Sequence, residues 1–547
     1  MVREEDRKYL PQEREQRAES KGFFAGVFIL SASAVVVKII GLIYKIPMLK
    51  LLGSEGMGYF NSAYELFCLL CVVATTGLPV AMSVTVSARL ARGESAEGVL
   101  RTSMRLFLPM GIGGMLLLLA VARPFASFLG SERAYLSMVA IAPALFFICL
   151  CGAYRGYFQG LGQMMPTALS QVVEATGKLL FGLLLASLAL GRGSGTEETA
   201  AFATLGLTLG MALSALFLIA CKHCRGNEMR LRTLDSPREP HLLRSLLSVA
   251  VPVTLSSAVV SITKVIDMTM ILRRLGHGGV GGEDAFALYG NYTTLALPLF
   301  ALAPTLVTSV AMPLIPTLTR AVAEGDGAAQ YRAVSDAMKL TAWIAMPISL
   351  GLTLFARPIL SLLFSGAEQA IAEATPLLAL LGPSVVLSCL ITVSNAVLQA
   401  YGNARIPILS LTLGSLLKLT LAYFLIGQES VGMLGAPIST FFCDLVAVAV
   451  NFYWIEKAME RTPSVIDTLC RPFAAAFLSV TVARITYHLL LSRIGDTWHV
   501  TVTCIALAAL LYLPLSVLLG AVDIKGIMHK KEKMTCVKQN GEISSAL

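Results

Sequence analysis

The sequence predicts an all-α polytopic membrane protein with about fourteen transmembrane helices. Hydrophobic residues make up 56% of the 547 residues and charged residues only 14%, against about 25% in soluble domains. The mean hydropathy of +0.73 agrees with this composition. Apolar segments of about 20 residues, the length at which a helix crosses a bilayer, recur along the chain.

The apolar segments divide the chain into two lobes of six spans each and a final pair. A cytosolic tail is predicted at 1–21, followed by an N-lobe at 22–220 with spans near 23–46, 59–88, 103–122, 136–158, 166–190 and 200–220. A polar, basic linker at 221–241 leads to a C-lobe at 242–456 with spans near 243–272, 286–317, 335–356, 374–400, 406–426 and 432–455. The region 457–520 holds two further spans, and a basic cytosolic tail follows at 521–547.

The first two spans form a predicted membrane hairpin. An apolar run from Phe23 to Ile46 carries Lys38 in its interior, and a glycine-rich turn from Leu52 to Tyr59 joins it to the next run. A lysine near the middle of a span costs roughly 2.5–3.5 kcal/mol on insertion scales, so it is expected to face protein or a water-filled cavity. Prolines in the second and eighth spans, among them Pro79 and Pro298, predict kinks there.

Lysine and arginine are concentrated in the loops and tails on one side of the predicted bundle. The excess of basic residues makes that side cytosolic, and the even number of spans places both termini on it. The net charge of +9 is therefore attributed to membrane topology, and nucleic acid is not an expected partner.

Short motifs recur in the two lobes and indicate an internal repeat. The stretch from Ala122 to Leu129 resembles that from Ala356 to Leu363, and Gln159-Gly160-Leu161-Gly162 resembles Gln399-Ala400-Tyr401-Gly402. A lysine lies nineteen residues after each glutamine, at Lys178 and Lys418. Because six spans are an even number, the two lobes are expected to insert in the same orientation and to enclose a cavity at their interface.

Charged residues inside the spans are the candidate functional residues. Four lysines facing one cavity would form a positive site that suits a phosphate or pyrophosphate group, and the predicted substrate-binding residues are Lys38, Lys264, Lys178 and Lys418. Acidic residues in the spans are candidates for ion coupling, namely Glu65, Asp267, Glu174 and Asp444.

Local ion pairing is the alternative explanation for several of these charges. Glu174 and Lys178 are spaced i,i+4, and Lys264 and Asp267 are spaced i,i+3, so each pair could form on one helix surface. Asp444 on a neighbouring span could pair with Lys418. Lys38 has no acidic residue within helical reach.

Motifs for catalysis, metal binding or nucleotide binding are not evident in the sequence. The six histidines are scattered, no GxxxxGK motif occurs, and Cys221-Lys222-His223-Cys224 resembles only half of a metal site. The sequence therefore predicts neither an enzyme nor a bound cofactor or metal. Energy is expected to come from a Na⁺ or H⁺ gradient, the membrane potential or the substrate's own gradient.

Several motifs resemble the polysaccharide flippase branch of the multidrug/oligosaccharidyl-lipid/polysaccharide exporter superfamily. They are the segments 38–44, 52–58 and 76–79, Gln159 to Gly162 with Pro166, and Gln399 to Asn403 with Pro407. Within that branch the likeness is closest to a sporulation protein of spore-forming bacteria and to the lipid II flippases. Lys38 ahead of Gly41 matches a basic residue in the first helix of the lipid II flippases. Their other cavity arginines have no clear equivalents here, since Tyr44 and Lys45 stand near the second.

The resemblance implies a V-shaped, two-lobed transporter of the bacterial cell membrane that works by alternating access. Its expected cargo is a polyprenyl-pyrophosphate-linked saccharide, for instance a peptidoglycan or polysaccharide precursor, and cell-wall synthesis enzymes are possible partners. A cation-coupled multidrug antiporter is an alternative that needs a cavity dominated by acids. A non-transporting scaffold for cell-wall or spore-cortex synthesis is a further alternative.

Overall fold

The structure is a computed structural model that describes residues 4–92, 94, 96–229, 242–459, 461–494 and 498–521. These residues form helices and connecting turns, with no strand among them. The first half contains α1 (Glu4–Val72), α2 (Leu78–Ala91), α3 (Glu97–Leu129), α4 (Tyr135–Ile141), α5 (Ala144–Gly160), α6 (Met164–Gly191) and α7 (Thr196–Met229). The remainder contains α8 (Leu242–His277), α9 (Gly282–Asn291), α10 (Leu297–Ala323), α11 (Gly327–Leu354), α12 (Ala356–Leu363), α13 (Glu368–Ala400), α14 (Arg405–Ile426), α15 (Gly435–Ala458), α16 (Val465–Ile494) and α17 (Trp498–Leu518).

The helices have the length and hydropathy of a polytopic membrane protein. Among the described residues, 11 helices are long and apolar enough to span a membrane, or up to 12 if a bent pair counts as one span. The all-α membrane class is thus confirmed, while the number of fourteen stays a prediction. Helix α1 begins at Glu4, so the described part of the predicted tail at 1–21 is helical. Parts of the predicted linker and C-terminal tail, 230–241 and 522–547, lie outside the described residues.

The predicted turn from Leu52 to Tyr59 is reduced to a break at one residue, because residues 54–59 are helical, whereas the predicted kink at Pro79 is present. Gly53 interrupts α1 with φ 68° and ψ 179°, a conformation that favours glycine, so α1 consists of two helices joined at this residue. A π-helix, Val73–Gly77, then separates α1 from α2, and the two helices meet there at an angle of 57°. The kink lies directly before Pro79, as the sequence predicted.

The chain packs as two compact units. The first unit comprises Met1–Thr294 with Ala422–Met433, and the second comprises Leu295–Leu421 with Leu434–Leu547. Helices α8 and α9 thus pack in the first unit. The lobes predicted at 22–220 and 242–456 describe the sequence repeat and stay a prediction.

Helix packing in the first unit depends on glycines that let backbones approach closely. Gly152, Gly156 and Gly160 form one edge of α5, and α2 lies along this edge: a methyl group on Gly156 would stand 2.7 Å from the Pro79 carbonyl oxygen. Helices α6 and α7 approach each other in the same way, with Gly177 against the Cα atom of Gly210. Small residues spaced by four positions are a common means of packing helices in membranes.

In the second unit, α13 is the central helix, packed against α10, α11 and α15. Asn451 of α15 donates to Ser394 Oγ at 2.9 Å and to Asn395 Oδ1 at 2.8 Å, so a polar contact crosses this core. The last two helices, α16 and α17, pack beside α11, where the Tyr512 hydroxyl donates to the Trp343 carbonyl oxygen at 2.8 Å.

Two local structures occur once in each half of the chain. The related motifs at Gln159 and Gln399 both end a helix with the same three backbone hydrogen bonds and a glycine of positive φ, Gly162 at 74° and Gly402 at 78°. A second π-helix, Tyr292–Ala296, precedes Leu297-Pro298 as the first precedes Leu78-Pro79. These matching structures are what an internal repeat predicts.

Candidate functional site

Two of the predicted lysines come together in the first unit. Lys38 lies on α1 and Lys264 on α8, two helices that pack against each other, and their ammonium groups are close enough to repel. Both residues are exposed rather than buried between helices. Glu65 of α1 lies within electrostatic range of Lys264 and of Asp267, so a carboxylate of each helix accompanies the lysine of each helix.

Lys45 joins this group, although the sequence placed it only at the end of the first span. Its ammonium group donates a hydrogen bond of 2.6 Å to the backbone carbonyl oxygen of Thr293, in the second π-helix. It also lies within electrostatic range of Lys38, Glu65 and Lys178. Lys45 is near the end of the predicted span 23–46, where a lysine is typical of the membrane interface, so its place in the sequence gave no indication of this group.

Lys178 of α6 is surrounded by aromatic rings. Its ammonium nitrogen lies 4.8 Å from the ring centre of Tyr64, 5.3 Å from that of Tyr44 and 5.9 Å from that of Phe60. Such distances allow favourable cation–π contacts, which partly replace the water that a buried ammonium group loses. The three rings all come from α1, so the sequence spacing on α6 gave no indication of them.

Glu174 pairs with an arginine and not with the lysine one turn away. Its carboxylate lies 2.7 Å from Nη2 of Arg155 on α5, and Arg155 Nε also donates to Ser170 Oγ at 2.9 Å. Glu174 is also within electrostatic range of Lys178, so the predicted i,i+4 interaction is a longer-range one, while the direct contact of Glu174 is the tertiary contact with Arg155. Arg155 was not among the predicted site residues.

Lys418 and Asp444 lie in the second unit. Asp444 is within electrostatic range of Lys418, as expected if these neighbouring helices share an ion pair. The Asp444 Oδ2 atom is buried and accepts no hydrogen bond among the described residues. Of the eight predicted site residues, the first unit thus contains all except these two.

The charges of the first unit form a mainly positive group. Lys38, Lys45, Lys178 and Lys264 follow one another at electrostatic range, and Glu65 and Asp267 stand among them. Glu174 adds little negative charge because Arg155 neutralises it. Lysines act as point charges with rotatable donors, so this arrangement can bind a phosphate or pyrophosphate group. No group of three or more potential metal ligands occurs among the described residues, including the surroundings of Cys221 and Cys224.

Comparisons with known proteins give a family and a fold. The model of a family described as polysaccharide biosynthesis protein matches residues 23–322, and the MatE model matches residues 252–424. Stage V sporulation protein B of Bacillus subtilis is 26% identical over 427 residues, which cover 76% of this chain and 80% of that protein. The lipid II flippase MurJ of the same species is 25% identical over 460 residues, which cover 80% and 83% of the two chains.

Solved structures of two transporters share the fold. A lipid II flippase MurJ in an inward closed conformation superposes with a TM-score of 0.65 at 16% identity, covering 90% of this chain and 98% of that chain. An inward-facing multidrug resistance MATE family transporter of the MOP superfamily gives 0.63 at 19% identity, covering 77% and 93%. The fold is therefore that of MOP superfamily transporters. Because the model of the polysaccharide biosynthesis protein family matches more than half of the residues of this chain, the chain belongs to that family.

Proposed function

We propose that the protein is a flippase that carries a polyprenyl-pyrophosphate-linked saccharide across the bacterial cell membrane by alternating access. The observation that carries this proposal is the group of four lysines on α1, α6 and α8, which exceed the carboxylates among them. A pyrophosphate carries several negative charges, so it would compensate the excess of positive charge in this group of described residues.

These lysines lie in apolar helices, where a charged side chain has a high free-energy cost. Each ammonium group near the bilayer centre costs roughly 2.5–3.5 kcal/mol on insertion scales, so Lys38, Lys178 and Lys264, which lie inside predicted spans, are costly without a function. A head group bound to them can travel through a polar interior while the polyprenyl chain stays in the bilayer. The names of the relatives favour a precursor of peptidoglycan or of another polysaccharide as cargo, and spore-cortex synthesis as one setting.

The source of energy follows from the charges that move. A membrane potential of 100 mV is worth about 2.3 kcal/mol for each elementary charge that crosses, which is enough to bias a conformational equilibrium. Glu65, Asp267 and Asp444 are the acidic residues that could take up Na⁺ or H⁺ during the cycle, whereas Glu174 is held by Arg155. The proposal includes the expectation that both termini lie in the cytosol and that cell-wall synthesis enzymes are partners.

A translocation assay with a matched control tests the cationic site. We expect the Lys38→Ala/Lys264→Ala double variant, reconstituted in vesicles, to move dye-labelled lipid II at least about a hundredfold more slowly, since each of the two lost charge-assisted contacts is worth about 1.5–3 kcal/mol. Lys339→Ala, which removes an exposed lysine of α11, should translocate at the wild-type rate. Equal rates for the double variant and the wild type would rule out the cationic site.

A multidrug antiporter is the second candidate because the MatE model matches residues 252–424. Cationic drugs would meet repulsion from Lys38, Lys45 and Lys264, so the charge of the first unit argues against this function. Drug-resistance profiling of a deletion strain, together with the translocation assay, distinguishes the two functions.

A further inference from the structure

A tight seam between α1 and α9 lies beside the lysine group. A methyl group on Gly58 would collide with the Phe286 carbonyl oxygen, and one on Gly290 would collide with the Ser54 carbonyl oxygen, so the two backbones are in direct contact. The rings of Tyr59 and Phe286 pack with their centres 5.0 Å apart. These contacts exist only while α1 and α9 stay packed together, so they close the seam.

Polar contacts hold the seam at the point where α9 passes into the π-helix. The buried Asn61 amide donates to Thr293 Oγ1 and to Thr294 Oγ1, each at 2.9 Å. Lys45 Nζ donates to the Thr293 backbone carbonyl oxygen at 2.6 Å. Asn61 and Lys45 of α1 thus both form hydrogen bonds to the same turn, and Lys45 belongs to the lysine group.

The Thr293 carbonyl needs such a donor because of the proline that follows it. In a π-helical pattern a carbonyl accepts from the N–H five residues later, which for Thr293 is residue 298, and Pro298 has no N–H. An orphaned backbone carbonyl among apolar helices is costly, so the Lys45 ammonium group stabilises the turn by bonding to it.

The equivalent carbonyl of the first π-helix is treated differently. Ala74 stands five residues before Pro79 as Thr293 stands before Pro298, and its carbonyl oxygen is packed directly against Gly152 of α5. Packing against a glycine is permanent, whereas an ammonium group can leave the Thr293 carbonyl for a stronger acceptor. Lys38 and Lys264 are exposed, so of the lysines at this group Lys45 is the one committed to the seam.

We propose that Lys45 couples binding of a pyrophosphate head group to opening of the α1–α9 seam. The phosphate oxygens, held first by Lys38 and Lys264, draw the Lys45 ammonium group away from the Thr293 carbonyl oxygen, and the π-helical turn is released. Lys45 is in this sense a positioning residue, and its role rests on the proposed flippase function.

Hydrogen exchange of the full-length protein in nanodiscs tests this coupling at the amides of residues 286–297. In the wild type, undecaprenyl pyrophosphate should raise their exchange rate about tenfold, as expected when a charge-assisted hydrogen bond is lost, while neutral undecaprenol should not. Lys45→Met should exchange at the raised rate without any lipid and show no further response. Lys45→Arg should restore both the low resting rate and the response.

Two control variants separate coupling from simple loosening. Asn61→Ala should raise the resting exchange rate but keep the response to undecaprenyl pyrophosphate, because Lys45 is still present. Lys264→Ala should keep the low resting rate and require more lipid for the response. A Lys45→Met variant that responds like the wild type would overturn the coupling role.

Failure of the coupling and failure of the flippase function give different results. Native mass spectrometry of the same samples shows whether undecaprenyl pyrophosphate binds. Binding to the wild type without any change in exchange would overturn the role of Lys45 and leave the flippase function standing. Absence of binding would overturn both.

Discussion

At the scale of single residues, the intramembrane charges are distinguished by their partners. Arg155 is neutralised by Glu174, Lys178 lies against three aromatic rings, and Lys45 bonds to a backbone carbonyl. Each partner comes from another helix, so these assignments depend on tertiary packing. The residue types told us that charges would be present in the spans, but their pairing followed from helix rotation, which periodicity of the apolar residues does not determine.

The Arg155–Glu174 pair gives a stability prediction. Replacing Arg155 by Met leaves the Glu174 carboxylate without its partner in a partly buried site, and we expect this to destabilise the protein by about 1–3 kcal/mol. Adding Glu174→Gln removes the stranded charge and should recover most of that loss. Thermal unfolding in detergent measures both variants, and an Arg155→Met variant as stable as the wild type would show that the pair is not a structural element.

At the scale of helices, hydropathy located the elements well. The fifth predicted span, 166–190, lies within α6 (Met164–Gly191), and the turn after Gln159 has the same structure as the turn after Gln399. The four-residue spacing of Gly152, Gly156 and Gly160 is visible in the sequence and could have predicted a close-packing edge on α5. The sequence did not indicate that α2 would pack against this edge. The π-helices could not be predicted from the sequence either, because Pro79 and Pro298 predict a kink without specifying how the backbone accommodates it.

The glycine edge gives a prediction with a matched control. A methyl group on Gly156 would stand 2.7 Å from the Pro79 carbonyl oxygen, whereas one on Gly113 of α3 has nothing within 4 Å. We expect Gly156→Ala to destabilise the protein by about 1–3 kcal/mol through overpacking. Gly113→Ala should stabilise it by about 0.5–1 kcal/mol because alanine favours the helix. Melting temperatures in detergent that move in the same direction for both variants would contradict this packing.

At the scale of the whole chain, the repeat has diverged in its charges. Arg155 and Asn395 stand four residues before the related glutamines, yet Arg155 binds a carboxylate and Asn395 accepts from Asn451. Lys178 and Lys418 also correspond, but aromatic rings surround the first while Asp444 is near the second. The sequence repeat suggested four equivalent lysines in one site, whereas the structure groups Lys38, Lys178 and Lys264 with Lys45 in the first unit.

This concentration of positive charge is the basis of the proposed function. The family and the fold indicate a transporter. The lysines of α1, α6 and α8 suggest that its cargo is anionic. The cargo's identity depends on contacts with the saccharide, which charge alone does not specify. The lipids that accompany the protein during purification therefore bear most directly on the account.

Mass spectrometry of lipids co-purified with the wild type and with Lys38→Ala/Lys264→Ala is the most direct measurement. We predict that polyprenyl-pyrophosphate-linked saccharides are enriched on the wild type over the membrane extract and fall about a hundredfold or more on the double variant, in keeping with two lost charge-assisted contacts. Equal enrichment on both proteins, or enrichment of uncharged lipids alone, would contradict the claim that these lysines bind a pyrophosphate head group.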